Sequence, residues 1–148
     1  MTSGTTTIRN VNRPNGTLLT KIDRNGQFFY TKLIAELNSP DVQSPNIAVG
    51  PNEILIEDVA RDTLVIGSTM YSKPAMNKVF YVMKLSLDGT VIWSKFYFYS
   101  DPLQTGAFGG IVTDRKGGAY VTTNFRNTLE FEGKQLINSN SWYTSCLL

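Results

Sequence analysis

The chain has 148 residues, 41% of them hydrophobic and 18% charged, with a formal net charge of +2. A chain of this length and apolar content buries about 70% of its unfolded surface, which argues against the intrinsically disordered class. The longest basic run is Arg115-Lys116, too short to neutralise a row of phosphates, so nucleic acid is not expected as a partner.

The residue inventory restricts the chemistry. There is no histidine and only one cysteine, Cys146. The absence of histidine excludes Ser-His-Asp and Cys-His nucleophilic machinery and removes the commonest metal ligand. We therefore expect a non-enzymatic protein with no metal and no cofactor. The first thirty residues show no signal peptide, and no apolar run approaches the ~20 residues of a membrane span. These features predict an intracellular protein without membrane contact, although a secreted mature form would look the same.

The first predicted hairpin follows a polar N-terminal segment. Residues 1–16 are rich in Thr, Ser, Asn and Gly, which predicts a flexible arm. Two strand-like segments, Thr17–Asp23 and Gln27–Ile34, then flank Arg24-Asn25-Gly26. Asn-Gly supplies the positive φ angles that two-residue hairpin turns need.

The same pattern returns further along the chain. Lys21–Lys32 aligns with Lys84–Lys95 at an offset of 63 residues without a gap. Phe80–Ser86 and Thr90–Tyr99 flank Leu87-Asp88-Gly89, and Asp-Gly is the second strong hairpin signal. A repeat of this size is typical of propellers and arrays.

The remainder of each unit also recurs, less closely. Leu55–Asp58 precedes a short turn and Thr63–Ser68, while Ile111–Asp114 precedes a turn and Ala119–Thr123. Aligning Asp58 with Asp114 gives two hairpins, or four strands, in each unit. The β-repeat domain then covers residues 17–148, with units at 17–78 and 79–140 and the start of a third copy at 141–148. In that copy Trp142–Leu148 aligns with Phe80–Ser86 at an offset of 62, and Cys146 takes the position of Lys84.

These motifs resemble those of a known family. Phe80–Lys95 reads aromatic-aromatic-x-x-Lys-φ-x-x-Asp-Gly-x-φ-φ-Trp-x-Lys, and Gly110–Asp114, Gly117–Thr122 and Leu129–Gly133 follow. The order and spacing resemble the SBBP-type β-propeller repeat. The resemblance implies four-stranded blades and a scaffold or binding role, with no shared catalytic set. Members of that family usually carry many tandem blades, whereas this sequence holds about two. The predicted fold is therefore all-β, with two propeller-blade-like four-stranded antiparallel units in an incomplete propeller or a blade-derived β-sandwich.

An unfinished repeat predicts association. A blade cannot bury its own faces, because its neighbours do so. Several chains could close one ring, two could pack face to face, or the two units could fold on each other within one chain. We expect a homo-oligomer, or binding to another protein. The predicted interface is formed by Phe96, Phe98, Trp142, Tyr143 and Leu147.

The most aromatic segment, Val91–Tyr99, supports a second hypothesis. Alternation along a strand puts Phe96 and Phe98 on one face and Trp93, Tyr97 and Tyr99 on the other. We expect these rings to pack between blades or at a subunit interface. They could instead form a stacking platform for sugar rings or bases. The alternative function is therefore a lectin-like module that binds carbohydrate or another small ligand. Its predicted ligand-binding residues are Trp93, Tyr97, Tyr99 and Trp142.

Carboxylates and lysines offer the remaining candidate groups. Glu130 and Glu132 are predicted to share a strand face, as an acid/base pair or cation site would require. Asp58 and Asp114 each precede a turn, where a carboxylate usually caps backbone N–H groups. Lysines recur at equivalent positions of the two units and are expected either to line an anion-binding face or to be solvated edge residues. The recurring lysines are Lys21, Lys32, Lys84 and Lys95.

Overall fold

A computed structural model gives the fold of the chain. The described residues are 15–37, 45–60, 63–72, 78–99, 108–139 and 144–147, and for Ser72, Phe108 and residues 144–147 the description covers the backbone only. Most of the predicted arm, residues 1–14, lies outside them. Its last two residues, Asn15 and Gly16, begin the first strand.

The predicted all-β class is confirmed: the described residues form antiparallel strands and contain no helix. They therefore contain no helix that is long and apolar enough to cross a membrane. The strands are β1 (Asn15–Ile22), β2 (Phe28–Leu37), β3 (Asn46–Val49), β4 (Glu53–Ala60), β5 (Thr63–Ile66), β6 (Thr69–Ser72), β7 (Val79–Ser86), β8 (Val91–Tyr99), β9 (Phe108–Thr113), β10 (Ala119–Phe125), β11 (Asn127–Phe131), β12 (Lys134–Asn138) and β13 (Thr144–Leu147).

The strands described form three sheets. The first sheet has the order β1-β2-β5-β6, the middle sheet β12-β11-β8-β7-β4-β3, and the last sheet β13-β10-β9. Both predicted hairpin turns are present. Gly26 and Gly89 each adopt a φ of 81°, and equivalent backbone bonds run from the Gly26 N–H to the Asp23 carbonyl (3.1 Å) and from the Gly89 N–H to the Ser86 carbonyl (2.9 Å).

The middle sheet is covered on both faces. On β7, Tyr81, Met83 and Leu85 pack in a cluster with the first sheet. Phe80 and Val82 pack in a second cluster with the last sheet. A strand buried on both faces loses the usual apolar–polar alternation, which explains the continuous apolar run Val79–Met83.

The pairings of the first unit recur in the second, but the described residues of each unit form three hairpins rather than the predicted two. The first sheet contains β1–β2 and β5–β6, and the middle sheet contains their equivalents, β7–β8 and β11–β12. The central hairpin of each unit lies in the neighbouring sheet: β3–β4 extends the middle sheet beside β7, and β9–β10 lies in the last sheet beside β13. The first unit is therefore interlocked with the second through β3–β4.

The predicted alignment of Asp58 with Asp114 is wrong. The Gly50 N–H donates to the Glu53 carbonyl (2.9 Å), and the Asp114 N–H donates to the Gly118 carbonyl (3.0 Å). These two bonds close equivalent hairpins, so Asp114 corresponds to Gly50. The sequence analysis did not identify β3, because its four residues are too few to show a strand period.

The register of the third copy also differs from the prediction. Cys146 is the partner of Thr123 in the β10–β13 pairing. When β10 is aligned with β4, Thr123 corresponds to Asp58, whose partner is Tyr81. Cys146 thus occupies the position of Tyr81 rather than that of Lys84. Trp142 and Tyr143 lie outside the described residues.

Candidate interaction surface

The first sheet presents apolar side chains on the face turned away from the middle sheet. Along β1, Leu19 packs towards the middle sheet, so Leu18 and Ile22 project from the opposite face. Their register partners, Leu33 and Phe28, lie on that same face. The exposed fractions are 53% for Leu18, 51% for Ile22 and 74% for Phe28. We call this surface, formed by Leu18, Ile22, Phe28 and Leu33, the outer face.

The internal repeat explains why the outer face is apolar. At the offset of 63 residues, its four members correspond to Tyr81, Leu85, Val91 and Phe96. In the middle sheet all four pack against the first sheet. The same positions are therefore covered in one unit and exposed in the other. Exposed apolar side chains grouped on one face of a sheet are a candidate contact site for another protein.

The described side chains on the outer side of the last sheet are both apolar and polar. Val112 and Tyr120 are register partners there, and both are more than half exposed. Thr122 follows on the same side of β10, and its hydroxyl donates to the Gly110 carbonyl at 3.4 Å.

A buried polar contact joins the first sheet to the middle sheet. The Asp58 carboxylate accepts hydrogen bonds from the Thr17 hydroxyl (3.1 Å) and the Tyr81 hydroxyl (3.0 Å). Burial raises the pKa of Asp58, and bonds from the Val59 N–H, Tyr81 and Thr17 oppose the rise. Desolvation and the neighbouring Asp58 charge raise the pKa of Tyr81 well above its ordinary value. With Asp58 only 1% exposed, this group holds sheets together and is closed to ligands.

The middle and last sheets are joined by a hydrogen bond between the Tyr99 and Thr123 hydroxyls, 2.7 Å apart. We expect Tyr99→Phe to lower the free energy of unfolding by about 1 kcal/mol, because the buried Thr123 hydroxyl loses a partner. A double-mutant cycle with Thr123→Val, measured by urea denaturation, should give a coupling energy of similar size. Additive effects of the two substitutions would contradict this role for the bond.

The aromatic residues of β8 lie on two faces, as the sequence predicted. Tyr99 is 2% exposed, so its ring is covered within the chain, and its ligand-binding role stays a prediction. Trp93 and Tyr97 are half-buried and pack against the cluster between the middle and last sheets, which includes Tyr99. The Tyr97 ring lies 5.2 Å from that of Phe80 and 5.6 Å from that of Phe131, centroid to centroid.

The residues predicted for a subunit interface are placed as follows. Phe96 packs within the chain, with its ring centroid 3.8 Å from that of Tyr71 in the first sheet. Phe98 is half-buried in β8. Leu147 is the register partner of Thr122. Phe96 thus stabilises the contact between the first and middle sheets of one chain. The sequence analysis did not identify the outer face. The signal was the repeat offset of 63 residues, which places Leu18, Ile22, Phe28 and Leu33 at the positions of Tyr81, Leu85, Val91 and Phe96.

The predicted carboxylate pair is not formed. Glu130 lies in β11, but Glu132 lies in the following turn with a φ of 47°. Its carboxylate pairs with Lys95, and the hydrogen bond from Lys95 is the main cause that lowers the pKa of Glu132. Glu130 and Glu132 therefore do not share a strand face. In the part of the chain described, no three or more Cys, Asp or Glu side chains are grouped to hold a metal ion.

The recurring lysines have separate local partners. Lys84 donates to the Gly117 carbonyl (2.7 Å), and Lys32 lies 3.6 Å from Asp88 in an exposed pair. The Lys21 ammonium lies 5.4 Å from the centroid of the Phe29 ring.

A cleft of about 220 Å³ follows the side of β1 that faces β3. Its walls include Leu19, Ile22, Tyr30, Ile47 and Ile54.

In comparisons with protein-family models, curated proteins and solved structures, no significant match to this chain was found.

Proposed function

We propose that this protein is a non-catalytic β-repeat scaffold that acts by binding protein chains and works as a homo-oligomer. The observation that carries the proposal is the outer face. Leu18, Ile22 and Phe28 are more than half exposed, while their repeat equivalents Tyr81, Leu85 and Val91 pack against a neighbouring sheet. Apolar residues at positions that are covered in the second unit are best explained in the first unit by a partner sheet that covers them.

The apolar area favours a protein partner over a small ligand. The exposed positions lie on a broad sheet surface, whereas small-molecule sites are concave. The exposed hydroxyls of Thr20 and Thr31, which lie 3.1 Å apart, fall between the apolar pairs. They add polar groups that a partner backbone or side chain can contact.

The resemblance to SBBP-type propeller repeats is part of the proposal. The recurring order of pairings in the two units supports a repeat whose copies stack side by side. In such arrays each copy contributes mainly by contacting its neighbours, which agrees with a scaffold role.

The test compares Leu18→Asp with Ile137→Asp by light scattering coupled to size exclusion. Ile137 is 75% exposed but lies on β12, away from the outer face. We expect the wild type and Ile137→Asp to be oligomeric. We expect Leu18→Asp to weaken association roughly a hundredfold, because an unpaired carboxylate in an apolar contact costs about 3 kcal/mol. A monomeric wild type throughout the micromolar range would overturn the proposal.

A further inference from the structure

Two strands in the described part of the chain have less pairing than their repeat equivalents. In the middle sheet, β7 lies between β4 and β8 and pairs with β4 over eight residue pairs. Its equivalent β1, within the described residues, pairs with β2 alone. The equivalent of β4 is β10, which pairs with β13 over four residue pairs.

The side chains near these strands show the same difference. Leu85, next to β4, is fully buried, whereas its equivalent Ile22 on β1 is half exposed at the cleft. On the middle sheet, Trp93 and Tyr97 are only partly covered. They lie on the face that carries the last sheet, and Tyr97 is the register partner of Phe131 in β11.

We propose that copies of the chain join head to tail, with β10 of one copy pairing antiparallel with β1 of the next in place of β13. This inference rests on the proposed homo-oligomeric function. The hairpin β9–β10 corresponds to β3–β4, and the first sheet corresponds to β7-β8-β11-β12. Combined, they form a six-stranded sheet with the order of the middle sheet.

The same arrangement covers the outer face of one copy and the partly covered Trp93 and Tyr97 of the other. The joined sheet continues the last sheet across the middle sheet of the first copy. The outer face of the second copy, with Leu18, Phe28 and Leu33, then packs on Trp93 and Tyr97 of the first. This contact repeats the one by which Tyr81, Val91 and Phe96 pack on the first sheet within one chain.

The β4–β7 pairing fixes the register of the proposed contact. Leu55 is the partner of Lys84, so Tyr120 of one copy is opposite Lys21 of the next. Because β1 has eight residues, it offers twice the length over which β13 pairs. The longer ladder favours replacement of β13 by β1 of the next copy as the strand that pairs with β10.

The test is disulfide formation between Lys21→Cys and Tyr120→Cys in a chain that also carries Cys146→Ser. Both residues are exposed, so the substitutions should leave the fold intact. The matched control replaces Lys21→Cys by Thr20→Cys, which is next along β1 but on the opposite side of the sheet. Under mild oxidation we expect at least ~10-fold more covalent dimer and longer species than in the control, because a disulfide needs Cα atoms within about 7 Å.

A second readout uses tryptophan emission. In Trp142→Phe only Trp93 remains, and its emission should shift to shorter wavelength as concentration rises and the ring is covered. An oligomeric wild type with equal cross-linking in both variants, an internal disulfide, or an unchanged Trp93 spectrum would overturn the head-to-tail arrangement and leave the scaffold proposal standing. A monomeric wild type would overturn both.

Discussion

Glu57→Gln is expected to raise the free energy of unfolding by about 3 kcal/mol above pH 7 and to leave it nearly unchanged below pH 4.5. Glu57 is fully buried on the face of β4 that is directed towards the last sheet. Burial and the neighbouring Asp58 charge raise its pKa from 4.5 to about 7, and the Asn46 amide partly opposes the rise. Among the described residues no group meets either carboxylate oxygen with regular hydrogen-bond geometry. One pKa unit corresponds to about 1.4 kcal/mol, so a pKa difference of about 2.5 between the folded and unfolded states corresponds to roughly 3 kcal/mol of stability.

The sign follows from proton binding. Between pH 4.5 and 7 the folded protein keeps the proton on Glu57 while the unfolded chain has lost it. The Glu57 contribution to stability is therefore fully present below pH 4.5 and is lost as the pH rises through 7. Glutamine has the same shape and no charge, so the variant should not show this loss. Urea denaturation of both proteins at several pH values measures the difference.

Glu132→Gln is the control with the opposite sign. The pKa of Glu132 is lowered by Lys95, so this substitution should cost stability above the ordinary carboxyl pKa and none at lower pH. Glu132 is exposed, and solvent screening keeps the effect small. A Glu57→Gln profile parallel to that of the wild type would show that the Glu57 carboxylate is compensated in the folded state.

The local features of the fold were predictable from the sequence because they depend on a few adjacent residues. Asn25-Gly26 and Asp88-Gly89 specify their turns through backbone conformation alone. The two-sided aromatic pattern of β8 follows from strict alternation along a strand.

The exchange of hairpins between sheets was not predictable, since it depends on which distant strand pairs with which. β3 has only four residues, and β4 is buried on both faces although it carries Glu53, Glu57 and Asp58. Charged residues are rarely buried to this extent, and the sequence analysis placed Asp58 before a turn, as a cap of backbone N–H groups. Besides the adjacent Val59 N–H, the Asp58 carboxylate is stabilised by Thr17 and Tyr81, each more than twenty residues away in the sequence.

Phe80→Ala should lower the free energy of unfolding by about 4 kcal/mol, since it removes a large side chain from a closed cluster and leaves a cavity. Phe80 is 0% exposed and lies between the middle and last sheets with Tyr97 against its ring. Urea denaturation at low protein concentration measures the effect in the separate chain. Phe80→Leu, which retains much of the volume, should cost considerably less.

Phe28→Ala is the matched substitution on the outer face and should separate folding from assembly. Its side chain is 74% exposed, so the change should alter the stability of the separate chain by no more than about 0.5 kcal/mol. In the head-to-tail arrangement the same ring is covered by the preceding copy, and its loss should weaken association at least ~10-fold. Equal loss of stability in Phe28→Ala and Phe80→Ala would place Phe28 in the core of one chain. Unchanged association in Phe28→Ala would remove the outer face from the contact between copies, because no other position on that face exposes as large a side chain.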